Sequence, residues 1–347
     1  MMKLCALPRV RLANLPTPLQ EAPNLSKALG GPRILVKRDD LTGLAFGGNK
    51  TRKLEFLMAN ALREGADVVV TGAGFQSNWC TQAAAAARRL GMRCVLIKRG
   101  PVDGYDPEEY DGNHLLHFLM GAEIRVATRG NIRRVYEETM EELREKGHHP
   151  YLLSAAGSTP PGVMGYVNAL LELLSQAVEM GVKIDYLIHA SGSGGTMAGL
   201  ILGAKALNTG IKVIGAAVSP GRERMTKSVV ELVNESAEYL GLDLKVGEDE
   251  VTIYDEYAGP GYGVITDEKA EAVKLAAETE GLFLDPVYTG TSMAALIGLI
   301  REGFFKKDDT VVFLHTGGSA ALFPYKAPLK AYGLGRPMPW RKPPWSG

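Results

Sequence analysis

Short β-branched apolar runs alternate with long helical patterns along almost the whole chain, and that alternation constrains the fold most. The runs are Ile34–Lys37, Asp67–Thr71, Cys94–Lys98, Glu123–Val126, Tyr151–Ser154, Tyr186–Ala190, Val213–Val218 and Val311–His315. They are nearly continuous in apolar character, as parallel strands buried on both faces are. Between them lie helical stretches such as Lys50–Arg63, Thr81–Leu90, Asn131–Lys146, Val163–Met180, Thr196–Leu207, Asp267–Glu280 and Ser292–Arg301. This order predicts an α/β protein of two doubly wound lobes with mainly parallel sheets. The Gly-rich Gly43–Gly48 and the Gly/Pro-rich Ala155–Gly162 mark boundaries. They predict a small α/β lobe over 48–160 inserted into a large lobe of 1–47 and 161–347.

Composition removes several function classes. Lys+Arg and Asp+Glu are both 39, so no net field favours a nucleic-acid backbone or an anionic membrane. No apolar run approaches the roughly 20 residues a membrane helix needs. The first residues lack the apolar core of a signal peptide. Three cysteines without a CxxC argue against a disulfide framework and for a reducing, cytoplasmic setting. The tail 324–347 carries six prolines, five Lys or Arg and no acid, and reads as an extension rather than a basic binding module.

Ser191-Gly192-Ser193-Gly194-Gly195-Thr196 follows one strand and opens a helix. Glycines there turn backbone N–H groups toward an anion, and the helix N-terminus adds free donors. Three glycines and three hydroxyls exceed what a tight turn needs, so the segment reads as a phosphate cup. It is neither G-x-G-x-x-G nor a P-loop: Met197 stands at the third glycine position, and Asn49 precedes Lys50-Thr51. Lys50 opens the next predicted helix, where the dipole lowers an amine pKa and favours Schiff-base chemistry. Lys53, deeper in that helix, reads as a surface residue. Gln76-Ser77-Asn78-Trp79 precedes a helix, so Ser77 or Asn78 either caps it or binds a carboxylate or cofactor oxygen. His114 and His117 with Asp111 read as a packed or solvated helix face, and no metal is expected.

The blocks Lys37–Gly43, Gly47–Lys53, Gln76-Ser77-Asn78, Gly192–Thr196, Asp285–Gly290 and His315-Thr316-Gly317-Gly318 occur in an order that resembles the 1-aminocyclopropane-1-carboxylate deaminase / D-cysteine desulfhydrase family. The likeness runs from about Pro8 to Phe323. It implies the tryptophan synthase β-like fold (fold type II), pyridoxal 5'-phosphate (PLP), a small amino-acid substrate and a homodimer. Lys50 would hold PLP covalently, Asn78 would bond its hydroxyl oxygen, and Ser193, Gly194, Gly195 and Thr196 would hold its phosphate. Ser77 would bind the substrate carboxylate or move a proton, with Asn78 and Trp79 beside the substrate. Tyr262 and Tyr288 match the active-site tyrosines.

Cyclopropane-opening members carry Glu and Leu where this chain has Thr289 and Thr316. The resemblance places the first of these against the pyridine nitrogen, where a carboxylate makes PLP a deeper electron sink than a hydroxyl does. Ring opening needs that sink more than β-elimination does, so the two threonines favour the desulfhydrase-like branch. The expected reaction takes D-cysteine to pyruvate, sulfide and ammonia. Cysteate lysis, cyclopropane deamination and a catalytically silent PLP sensor are the alternatives. Trp79 stands where such members usually have His, and either lines the pocket or packs against the next helix.

Overall fold

The computed structural model describes residues 2–100 and 109–338, so the tail residues 339–347 lie outside the described part. Its strands are β1 (Leu19–Glu21), β2 (Arg33–Lys37), β3 (Val68–Ala73), β4 (Arg93–Arg99), β5 (Glu123–Ala127), β6 (Pro150–Leu152), β7 (Tyr186–Ser191), β8 (Lys212–Ala217), β9 (Thr252–Tyr254) and β10 (Thr310–Leu314). One sheet runs β1-β2-β10-β7-β8-β9, the other β5-β4-β3-β6. Every pairing is parallel except β1 with β2. Each predicted strand is present. The unforeseen β1 and β9 have three residues each, too few for a periodic signal.

Both sheets are covered on both faces, which is why their strands read as unbroken apolar runs. In the larger sheet, Leu35, Leu187, Val213 and Val312 face the helices Pro160–Met180, Gly195–Ala206 and Arg222–Leu240. The alternate residues Ile34, Ile188, Ile214 and Val311 face Pro23–Leu29, Asp267–Glu280 and Thr289–Arg301. In the smaller sheet, Val69 and Leu96 pack on Asn49–Arg63 and Asn78–Arg89, while Val68, Val70, Val95 and Ile97 face Ile132–Glu145. Among the described residues no helix is long and apolar enough to cross a membrane. The described part of the tail includes the helix Lys326–Gly333.

The Asn49–Arg63 helix is tied to the larger sheet by a buried charge network. Arg52 donates to both Asp39 oxygens at 2.8 Å and to both Glu172 oxygens at 2.8 and 3.0 Å. Lys37 adds a bond of 2.5 Å to Glu172, and Tyr166 donates to Asp39 at 2.5 Å. Two cations thus face two carboxylates, with the remaining lone pairs met by hydroxyl donors such as Thr17. At Gly165 a Cβ would meet the Arg52 carbonyl oxygen at 2.4 Å, so glycine lets the Pro160–Met180 helix touch the Asn49–Arg63 backbone.

Burial raises the Glu172 carboxyl, but Arg52 and Lys37 overcome it and hold the group down at about 2. Its folded value lies below its ordinary 4.5, so its contribution to stability is complete above pH 4.5 and fades as pH falls toward 2. Arg52→Met removes the central cation and leaves Asp39 without its partner. It should cost about 3–5 kcal/mol in urea unfolding at neutral pH and move the acid-unfolding midpoint upward.

Candidate active site

Loops from the C-terminal ends of strands in both sheets line one cavity of about 1050 Å³. Gly74–Trp79 follows β3, Thr128 follows β5, Gly192–Gly194 follows β7, Ser219 follows β8 and Thr316 follows β10. Ligands collect at such ends because loops and helix N-termini gather there.

Gly192, Ser193, Gly194 and Thr196 all line this cavity. Gly194 is the N-cap of the Gly195–Ala206 helix and offers no side chain to cap the first N–H groups. Ser193 and Ser158 hydroxyls lie 2.7 Å apart, and Gly195 N–H donates to Ser158 Oγ at 3.2 Å. Thr196 Oγ1 accepts from Asn49 Nδ2 at 3.1 Å. A Cβ on Gly195 would meet Ser158 Oγ at 2.6 Å and Lys53 Nζ at 2.7 Å, so the glycine makes room for both.

Lys53 corrects the surface expectation: it is wholly buried, with its ammonium 3.3 Å from the Ala156 carbonyl. It stands one helical turn beyond Lys50, on the same face. Burial and the Lys50 charge push Lys53 well below its ordinary value. Burial also brings Lys50 down to about 8, so desolvation accounts for the lowering that the sequence attributed to the helix dipole. Two clustered, desolvated amines beside a row of free donors call for an anion of high charge.

Ser77 is the N-cap of the Asn78–Arg89 helix, accepting from Cys80 N–H at 3.2 Å, and it also lines the cavity. The two readings are therefore compatible: the capping oxygen accepts while the hydroxyl proton stays available. Asn78 Oδ1 accepts from Asn113 at 2.8 Å, which leaves the amide NH2 as a donor. Trp79 lines the cavity but is only 3% exposed, and its single donor is spent on Thr71 at 2.8 Å. It forms a wall rather than a polar contact.

On the opposite side, the Tyr262 and Tyr288 hydroxyls lie 2.7 Å apart. Burial pushes Tyr262 up to about 12 and Tyr288 well above its ordinary value, so both stay protonated near neutral pH. Thr316 lines the cavity. Thr289, which the resemblance sets against the pyridine nitrogen, is wholly buried and its hydroxyl donates to Asp285 at 2.9 Å. Asp285 also takes the N–H groups of Val287, Tyr288 and Thr289, anchoring the start of the Thr289–Arg301 helix and drawing the hydroxyl inward. His114 and His117 are buried in the Gly112–Leu119 helix, and no group among the described residues is placed to hold a metal.

A family model described as "Pyridoxal-phosphate dependent enzyme" matches residues 10–317. The chain belongs to the pyridoxal-phosphate-dependent enzymes. It is 42% identical to a D-cysteine desulfhydrase of Klebsiella pneumoniae over 93% of this chain and 97% of that one. A solved structure of an ACC deaminase homologue superposes with TM-score 0.86 at 40% identity, covering 95% of this chain and 98% of the other. The processed form of threonine deaminase isoform 2 from Solanum lycopersicum shares the fold, with TM-score 0.67 at 18% identity over 96% and 87% of the two chains.

PLP fits what the cavity offers. Its phosphate would meet the need of Lys53 and the Gly195 N-terminus, its aldehyde that of the Lys50 amine, and its ring oxygen that of the Asn78 NH2. Asn49, Lys53, Ser158 and Asn113 would complete this arrangement, and the sequence reading placed none of them at the site. Only Lys53 carried a signal, its shared helical face with Lys50.

Lys269 is another unforeseen contributor. It is wholly buried and donates to Ala258 O at 2.7 Å and Val264 O at 2.9 Å, stapling the loop that carries Tyr262. Lys269→Met should lower kcat/KM about 10- to 100-fold by loosening Tyr262, with faster hydrogen exchange over residues 258–264. Covalent capture of PLP by the apoprotein needs the neutral Lys50 amine. Its rate should rise with pH up to about 8 and level off above, as followed by the visible absorbance of the bound cofactor.

Proposed function

We propose that this PLP-dependent enzyme is a β-eliminating lyase for small β-substituted amino acids, D-cysteine among them, which it takes to pyruvate, sulfide and ammonia. One observation carries the reading: among the described residues lining the cavity there is no carboxylate. Asp285 is buried nearby, but its oxygens are committed to three N–H groups and the Thr289 hydroxyl. With no carboxylate at the cavity wall to keep the pyridine nitrogen protonated, the site suits departure of a good leaving group better than opening of a carbon ring.

PLP supplies an electron sink for the charge that develops at Cα. The chain supplies the rest. Ser77 and the N-terminus of its helix hold the substrate carboxylate. The Lys50 amine, near 8, is basic enough to take the Cα proton and deprotonated often enough to do so. The Tyr262–Tyr288 pair, protonated throughout the neutral range, can hand a proton to the departing sulfur. The Trp79 wall excludes water from that side.

A putative 1-aminocyclopropane-1-carboxylate deaminase of Pyrococcus abyssi is as similar as the desulfhydrase, at 42% identity, so ring opening is the second reading. The PLP-loaded protein should release pyruvate and sulfide from D-cysteine in equal amounts, and Lys50→Ala should lower the rate by about 10³-fold or more. Faster release of 2-oxobutanoate from 1-aminocyclopropane-1-carboxylate would overturn the assignment.

A further inference from the structure

The cavity carries more positive charge than the reaction above uses. Its described lining includes Lys50, Arg99 and Arg129 and no acidic side chain. Lys50 and Lys53 are accounted for by the cofactor, and the substrate's α-carboxylate by Ser77 and its helix. The two arginines lie beyond these needs.

Their placement follows from sheet order. Strands β5, β4 and β3 are neighbours, in that sequence. Strand β3 runs into the Ser77–Asn78 cradle, β4 ends at Arg99, and Arg129 follows β5. Arg99 pairs with Ala127 in the register of β4 and β5, Arg129 follows two residues later, and both arginines line the cavity. Arg99 thus ends the strand next to the one that leads into the Ser77–Asn78 cradle. Arg99 also reaches the far wall electrostatically: burial raises Tyr262, and Arg99 is among the groups pulling it back down. The guanidinium fork suits sulfate, phosphate or carboxylate oxygens. Trp79 offers nothing polar to a neutral substituent, because its N–H is occupied by Thr71.

We propose that Arg99, seconded by Arg129, forms an anion subsite that makes the enzyme prefer amino acids whose β-substituent is negatively charged. This rests on the β-eliminating reading. For a sulfate ester of serine the balance is simple. The Cα–H bond breaks with its proton passing to Lys50, and the Cβ–O bond breaks with its electron pair leaving on sulfate. One water then converts the released enamine to pyruvate and ammonia.

The test compares serine O-sulfate with the neutral O-acetylserine, each in both configurations, on PLP-loaded wild-type and Arg99→Gln protein. The wild type should favour the sulfate ester. Arg99→Gln should lower its kcat/KM at least about tenfold more than that of the acetyl ester, with Arg129→Gln giving a smaller change in the same direction. A visible-absorbance titration with aspartate and 2-aminobutyrate, which lack a leaving group, reads the subsite without turnover. Aspartate affinity should fall about tenfold in Arg99→Gln while 2-aminobutyrate affinity changes less. Substrate and ligand ratios within twofold of wild type would overturn the subsite and leave the lyase standing. Discrimination toward aspartate with no pyruvate from any ester would support the subsite and overturn the lyase.

Discussion

The site depends on one buried electrostatic knot. Arg52 sits two residues beyond Lys50 on the same helix and is held by Asp39 and Glu172, both anchored in the larger sheet's half of the molecule. The Lys50 amine can be placed accurately only if its helix is fixed against the sheet that carries the phosphate cup. Apolar packing alone would allow the helix to slide, because such contacts are not directional. Charge-assisted bonds from a planar guanidinium are directional. The network is closed, with Lys37 and Tyr166 adding bonds to oxygens that Arg52 already holds, so no ion is stranded at the cost that an unpaired buried charge carries.

The same logic, left open, makes the binding site. Lys50 and Lys53 are desolvated like Arg52, but the protein gives them no carboxylate, and the nearest bond to Lys53 is a carbonyl at 3.3 Å. Both amines are therefore pushed down, and a phosphate dianion in the Ser193–Thr196 cup would relieve that penalty. The cofactor would then act as the missing counter-ion of the Asn49–Arg63 helix, much as Asp39 and Glu172 are the counter-ions of its Arg52.

How much of this was legible divides by the range of the determining interaction. The strands were visible because both faces are covered, so most of their central residues are apolar. The cup at Gly192–Thr196 was visible because its ligand groups are consecutive. Lys53 was misread because exposure is decided by what crosses the helix, here the Ala156 turn and Gly195, more than 100 residues away. The bond from the Thr289 hydroxyl to Asp285 had no sequence signal, because Asp285 gathers the start of the helix only once the chain is folded. Asn113 and Ser158 carry no local pattern, and only the meeting of the loops gives them a partner.

The two walls of the cavity are held in different ways, and the difference bears on chemistry. The Lys50 and Ser77 side is built on helix starts fixed by the Arg52 knot, by Gly165 and by the Ser77 cap. The Tyr262 side is a loop held at both ends by a single buried ammonium, Lys269, whose pKa burial lowers to about 8. A lysine contributes three hydrogen-bond donors without a fixed plane, so it tolerates small shifts of the carbonyls it holds. In the proposed reaction the rigid wall would position the group that takes a proton from a defined carbon. The yielding wall would carry the phenols that meet a substituent of varying size.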